Sequence, residues 1–330
     1  MFLRRAGGLL ATVLLISLVG CRTSPEQREL AETYYNLGNA YIELEDWDMA
    51  ENAFARALEI EPDMYRAEYN MARVYIYSQN YSQAANILHQ LLEADSQNIT
   101  FLETLAWVEL KRGRIEKAES LYRSLIEKDP ANCNVRYNLS LLLSERDEYA
   151  EAYSLLLKCV YGQSSDPELL LLLGELEQQL EWGSGLGWFK RASEQEPENQ
   201  SVLSKLADAY VQERDFTEAL DIYRKMSVRA DDAEKGRFLL EQAHLLLVQL
   251  EEKTSGIEAL KEALEAGFDD VDKLAALYTA LDEENRAETK SAMVSELQRL
   301  QLLDAVEEAA QSAEEAAAEE GAPLSEAAED

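Results

Sequence analysis

The sequence predicts an all-α chain assembled from stacked helix hairpins. Residue types recur at a spacing of 34 positions from Ala31 onward. Within each unit the apolar residues fall at amphipathic-helix steps, and no run alternates apolar and polar residues as a half-buried strand does. A hairpin of this size cannot bury both of its apolar faces alone, so neighbouring units must stack and function must sit on the surface of the stack.

The first unit sets the register. With Ala31 as position 1, Tyr34 falls at 4, Leu37 and Gly38 at 7 and 8, and Tyr41 at 11. Ala50 then stands at 20, Phe54 at 24, Ala57 at 27 and Pro62 at 32. The second unit (65–98) keeps Met71, Ala72, Tyr75, Ala84 and Leu88. The third (99–132) keeps Leu105, Ala106, Ala118, Tyr122, Leu125 and Pro130, with Gly113 between its helices. The fourth (133–166) keeps Leu139, Ser140, Ala152 and Leu156. In the fifth (167–199), Gly185, Phe189, Ala192 and Pro197 arrive one residue early, which predicts a shortened turn. The sixth (200–233) restores Leu206, Ala207, Tyr210, Ala219, Tyr223 and Met226. Small residues at 8, 20 and 27 let two helices approach; large ones at 4, 7, 11 and 24 fill the space between. Proline at 32 follows a helix end, where its missing N–H costs nothing.

This pattern resembles the tetratricopeptide repeat family, and Tyr34–Pro62 matches it at every diagnostic position. The resemblance implies a right-handed α-solenoid of helix hairpins whose first helices line a concave groove. Residues 31–233 then hold six repeats. Residues 234–303 read as a diverged repeat, marked by Ala243, Leu246, Leu250, Ala259 and Ala263, and capping helices. Ala233–Leu239 reads as an insertion or a lengthened helix start. Val271, Leu274, Ala275 and Tyr278 mark one further helix before a capping helix over 284–302. From Asp304 onward ten of 27 residues are acidic, ten are alanine and none is basic. That composition predicts a disordered acidic tail over 304–330.

The first twenty residues stand apart from the repeats. Arg4 and Arg5 precede an apolar run, Leu9–Val19, that is short for a bilayer span. It ends in Leu18-Val19-Gly20-Cys21, which resembles a bacterial lipobox. The resemblance implies cleavage after residue 20, lipid (palmitate among the acyl chains) on Cys21, and a short tether over 21–30. Arg22, in place of an aspartate retention signal, implies an outer membrane location facing the periplasm. The anchored chain would then meet the membrane through its lipid.

Composition narrows the partners. The chain carries 31 basic and 64 acidic side chains, a formal charge of −33, which argues against nucleic acid and against direct adhesion to anionic lipid. Of three cysteines, Cys133 and Cys159 occupy positions 1 and 27 of one repeat, at the same end of an antiparallel helix pair. They are a candidate disulfide, suited to an oxidising compartment; the alternative is two buried thiols.

No catalytic constellation emerges, and no cofactor or metal is expected. His89 and His244 are far apart, Cys133 and Cys159 lack metal-ligand spacing, and Gly183–Gly187 follows a helix and lacks the lysine of a phosphate loop. What remains is binding. Carrying the family's groove positions onto this chain selects Tyr35, Asn36, Asn39, Arg66, Tyr69, Asn70, Arg73, Tyr77, Trp107, Lys111, Tyr137 and Asn138. Asparagine recurs at position 6 as Asn36, Asn70 and Asn138, resembling family members that hold a peptide by its main chain; Thr104 interrupts the series. Tyrosine, tryptophan and arginine are the types that dominate interface hot spots. The expectation is a lipid-anchored envelope scaffold that takes protein or peptide segments in its groove. The other reading is a transporter-associated lipoprotein that handles a small ligand or docks a solute-binding protein. The oligomeric state is open.

Overall fold

The computed structural model describes residues 24–162, 165–281 and 287–320. Those residues form α-helices and one π-helical turn, with no strand among them. They fall into two units, divided after Gly162.

The first unit is four antiparallel hairpins: α1 (Pro25–Glu43) with α2 (Trp47–Ile60), α3 (Tyr65–Tyr77) with α4 (Tyr81–Ala94), α5 (Ile99–Lys111) with α6 (Ile115–Lys128), and α7 (Cys133–Ser144) with α8 (Tyr149–Tyr161). Each helix also packs on the next, α2 on α3, α4 on α5 and α6 on α7, so the unit is a helix-hairpin solenoid.

Each hairpin turn repeats one backbone device. Where α1 ends, the Asp46 N–H reaches the Tyr41 carbonyl at 2.9 Å and the Glu45 N–H the Ile42 carbonyl at 3.0 Å. This is a Schellman closure, which satisfies the orphaned end carbonyls. It demands a left-handed residue: Glu45, Gln79 and Asp147 accept φ of 56–60°, and Gly113 fills the same place at 73°. The residue closing one repeat caps the next. Asn98 and Asn132 each accept from a backbone N–H in the first turn of the following helix, as does Asp166 in the second unit.

Packing between positions 8 and 24 explains the glycines there. A Cβ on Gly38 would lie 2.7–2.8 Å from the Phe54 ring, and one on Gly174 would lie 2.4 Å from Phe189. Glycine lets the ring lie flat on the helix. At the end of the first unit a disulfide joins Cys133 to Cys159, with Cα atoms 5.6 Å apart.

The second unit holds α9 (Pro167–Gln179), α10 (Leu186–Gln195), α11 (Gln200–Gln212), α12 (Phe216–Arg229) and α13 (Asp232–His244). The π turn Leu245–Gln249 follows, then α14 (Lys253–Glu265), α15 (Val271–Ala280), α16 (Ala287–Arg299) and α17 (Leu303–Glu320). One core threads them, from Phe189 and Tyr223 through Leu260 and Leu274 to Met293, Leu297 and Val306.

Several expectations change. The fifth repeat does not shorten its turn: 180–185 lengthens it, and α10 loses its first turn, to ten residues. Gly185 at φ 73° makes the corner, where a Cβ would strike the Gly174 carbonyl at 2.6 Å. Of the choices for Ala233–Leu239, the structure takes a lengthened helix start, since α13 begins at Asp232 behind an Asp231 cap. Helix α1 begins at Pro25, inside the expected tether of 21–30. Ser24 and Gln27 form a reciprocal capping box there.

The acidic segment is corrected too. Residues 303–320 form α17, which packs on α15. Val306 and Ala310 are buried in the core, with Leu302, Leu303 and Ala309 packed against it. Their three-to-four-residue recurrence makes an apolar stripe. Residues 321–330 lie outside the described residues.

Candidate polypeptide-binding face and a buried carboxylate

The first helices of the repeats in the first unit stand side by side, α1 against α3. Position 6 of α3 is the centre of a polar web. Asn70, 7% exposed, donates through Nδ2 to Asn39 Oδ1 at 2.7 Å and to the Tyr35 hydroxyl at 3.3 Å. Its Oδ1 accepts from Arg73 Nη1 at 3.2 Å, and Arg73 Nη2 donates to the Tyr77 hydroxyl at 3.3 Å. Both amide hydrogens are therefore spent within the protein. Asn70 is a strut of the face, not the free rung that an asparagine ladder needs.

Around that strut the expected groove residues divide by exposure. Arg66 pairs with Glu32 and lies over the Tyr35 ring at 4.6 Å. Tyr69 shares a hydrogen bond with Thr104 at 3.0 Å, tying α3 to α5. Tyr77 is 46% exposed and stacks on Trp47, centroids 4.9 Å apart and planes 20° apart. Trp107 meets Tyr81 edge-on at 5.9 Å, and Lys111 caps it at 5.4 Å. Asn36 is exposed on α1, and Tyr137 and Asn138 are half-buried on α7. The face thus presents rings already held in place, which cuts the ordering cost of binding. Cys21 lies outside the described residues.

Position 11 carries a feature that the sequence reading passed over. Tyr41, Tyr75 and Tyr210 occupy it in the first, second and sixth repeats, Leu143 in the fourth and Glu177 in the fifth. The Tyr75 hydroxyl donates to Glu51 at 2.6 Å. Burial, then the Glu51 hydrogen bond and charge, push that phenol up to about 12. In the third repeat the position holds Glu109, whose side chain is fully buried. Four groups converge on its carboxylate: Lys117 Nζ at 2.5 Å, Arg112 Nη1 at 3.2 Å, Arg114 Nη1 at 3.5 Å and His89 Nε2 at 3.6 Å. Burial pushes the carboxyl up, but the Lys117 hydrogen bond and the three cations outweigh it and hold it below the usual range. The signal available was a glutamate at position 11 with Lys117 eight residues on, where Glu177 of the fifth repeat has Gly185 instead.

Among the described residues no cluster of three or more histidine, cysteine or acidic side chains could hold a metal, and no helix is long and apolar enough to cross a membrane. In the second unit α15 and α17 frame an open pocket of about 550 Å³, lined mainly by alanines such as Ala275, Ala276, Ala309 and Ala313.

Fold and face together define a scaffold built of tetratricopeptide repeats. Tetratricopeptide repeat models match residues 103–167 and 202–236. A model of the cytochrome c-type biogenesis protein H TPR domain matches residues 19–133. A search of curated proteins finds no match. Among solved structures, a tetratricopeptide repeat protein from Parabacteroides merdae is 18% identical, with a TM-score of 0.51 over 81% of this chain and 99% of its own. TTC0263 of Thermus thermophilus is 21% identical, with a TM-score of 0.43 over 55% of this chain and 99% of its own. YrrB, described as a TPR protein with an unusual peptide-binding site, is 19% identical, with a TM-score of 0.41 over 52% and 89%. At such identity the first of these likenesses speaks to fold alone.

Proposed function

We propose that the chain is a lipid-anchored scaffold of the bacterial cell envelope, set on the outer membrane and facing the periplasm, where it holds polypeptide partners during assembly of an envelope machine. The supporting observation is the half-exposed aromatic and cationic face of α3 and α5: Tyr77 stacked on Trp47 beneath Arg73, and Trp107 beneath Lys111. Large rings held rigid before binding, beside cations with unused donors, are what an interface anchor needs. The anchor rests on the Leu18–Cys21 run, and the Cys133–Cys159 disulfide suits an oxidising compartment.

A photo-crosslinking residue at Tyr77 should capture discrete partners in cells, and one at exposed Val228 of the second unit should not. Equal capture at both sites, or none at Tyr77, overturns the face. Cys21→Ser should move the chain from the membrane to the soluble fraction. Retention at the membrane after that change overturns the anchor.

A further inference from the structure

The hairpin turn of the third repeat breaks the charge pattern of this acidic chain. Residues 111–117 read Lys-Arg-Gly-Arg-Ile-Glu-Lys, four cations to one acid. The matching turns of the first two repeats are Leu44-Glu45-Asp46 and Ser78-Gln79-Asn80. In the fourth, Arg146 is committed to Glu119 and Glu148. Of these four turns only the third presents a basic edge.

That edge is built. Buried Glu109 gathers Arg112, Arg114 and Lys117 from two sides of the turn, and His89 of α4 closes the group, with its Nε2 3.2 Å from Lys117 Nζ. Gly113, at φ 73° with open space where a Cβ would be, lets the two arginines flank it closely. One carboxylate among three permanent cations leaves the group positive. Arg114 reaches Glu109 by one long contact and is half exposed, and Lys117 is 41% exposed. Exposed Lys111 extends the edge and makes no ion pair with a described residue; its neighbour is the Trp107 ring. Donors remain on the outside after the carboxylate is satisfied.

We infer that this edge, Lys111, Arg112, Arg114 and Lys117 organised by Glu109, docks an acidic polypeptide segment. Screening decides for a peptide over an anionic bilayer. At physiological salt, charges beyond about 8 Å are largely hidden, so a short segment reads the local cations. A membrane surface meets the whole protein and its large excess of acids. The inference rests on the polypeptide-binding reading and shares Lys111 with that face. Arg112, Arg114 and Lys117 extend it to the turn edge, and Arg66 lies on the groove alone, so the two can fail separately.

The test uses the full chain in mild detergent and fluorescent hexaglutamate as probe, read by anisotropy. Hexaglutamate should bind, weaken as salt rises, and bind about tenfold more weakly to Lys111→Glu/Arg114→Glu. Lys111→Glu alone, which leaves every contact of Glu109 intact, should weaken binding in the same direction with an unchanged circular dichroism melt. Lys158→Glu, an exposed lysine on α8, should leave it unchanged. No binding at low salt, or equal loss in Lys158→Glu, overturns the proposal. Displacement of the probe by short-chain phosphatidylglycerol at lower concentration than by unlabelled hexaglutamate assigns the edge to lipid and also overturns it. Loss in Arg66→Ala but not in the edge variants moves the acidic segment to the groove, which keeps that reading and sinks this one.

Discussion

Reducing the Cys133–Cys159 bond should cost the first unit a large part of its stability. The two cysteines are 26 residues apart and pin the start of α7 to the end of α8, the last hairpin of that unit. Closing a loop of that size removes about 3.5 kcal/mol of entropy from the unfolded chain. Native packing should change little, because Cys159 is buried and a free thiol there behaves as a small apolar side chain. Against a typical domain stability of about 5–15 kcal/mol, the loss is severe. With a urea slope near 2 kcal/mol/M, it should lower the midpoint by about 1.5–2 M. The measurement is urea unfolding of the wild type with and without reductant, followed by far-UV circular dichroism, with Cys133→Ser/Cys159→Ala as a second arm. Hydrogen exchange should rise first in α7 and α8, the two helices that the bond joins. A midpoint moved by less than about 0.3 M in both arms would refute the reasoning.

Three further outcomes are expected. Gly38→Ala should destabilise the first unit by about 1–3 kcal/mol, because the new methyl meets the Phe54 ring at 2.7 Å, and Phe54→Leu in the same chain should recover part of it in a urea double-mutant cycle. Glu109→Gln should cost about 1–3 kcal/mol, held down because Arg114 and Lys117 can rehydrate. Its pH signature has a definite sign. A carboxyl held low in the folded state adds stability that is complete above the ordinary value of 4.5 and is lost as pH falls through the folded value. Unfolding midpoints from pH 7 down to about 3 should therefore fall more steeply in wild type than in the Gln variant; parallel slopes would contradict the assignment. Val306→Asp should undock α17 and destabilise the second unit by about 3 kcal/mol, seen as faster proteolysis within 303–320.

The repeat was legible because its diagnostic positions are packing positions. Gly38 against Phe54 and Gly174 against Phe189 are contacts between two helices of one hairpin, and residue size alone announces them. The disulfide pairing followed from the same geometry, since positions 1 and 27 share one end of a hairpin. The acidic end did not announce itself. Its stripe runs through Val306 and Ala310, and alanine reads in composition as helix propensity, not as burial. Asn70 misled for the opposite reason: its type and position fit a peptide rung, but hydrogen bonding to Asn39, Tyr35 and Arg73 is settled by neighbouring helices, which no single repeat displays.

Glu109 shows where such legibility ends and function enters. In the second repeat position 11 is a tyrosine whose hydroxyl reaches one carboxylate of the preceding repeat. In the third, that polarity is inverted: the carboxylate sits at position 11, and the cations come to it. A tyrosine there would remove the buried carboxylate and leave Arg112, 16% exposed, without that partner. Glutamate brings a desolvation cost that only several cations can offset, so its presence commits Arg112, Arg114 and Lys117 to one cluster. Stability by itself does not require the exchange, since the tyrosine repeats pack without it. The exchange supplies a fixed arrangement of cations on one edge of an acidic scaffold. If Glu109→Tyr folded at least as stably as wild type yet no longer bound hexaglutamate, the residue would be there for the edge it builds. Equal binding in that variant would leave it a packing choice.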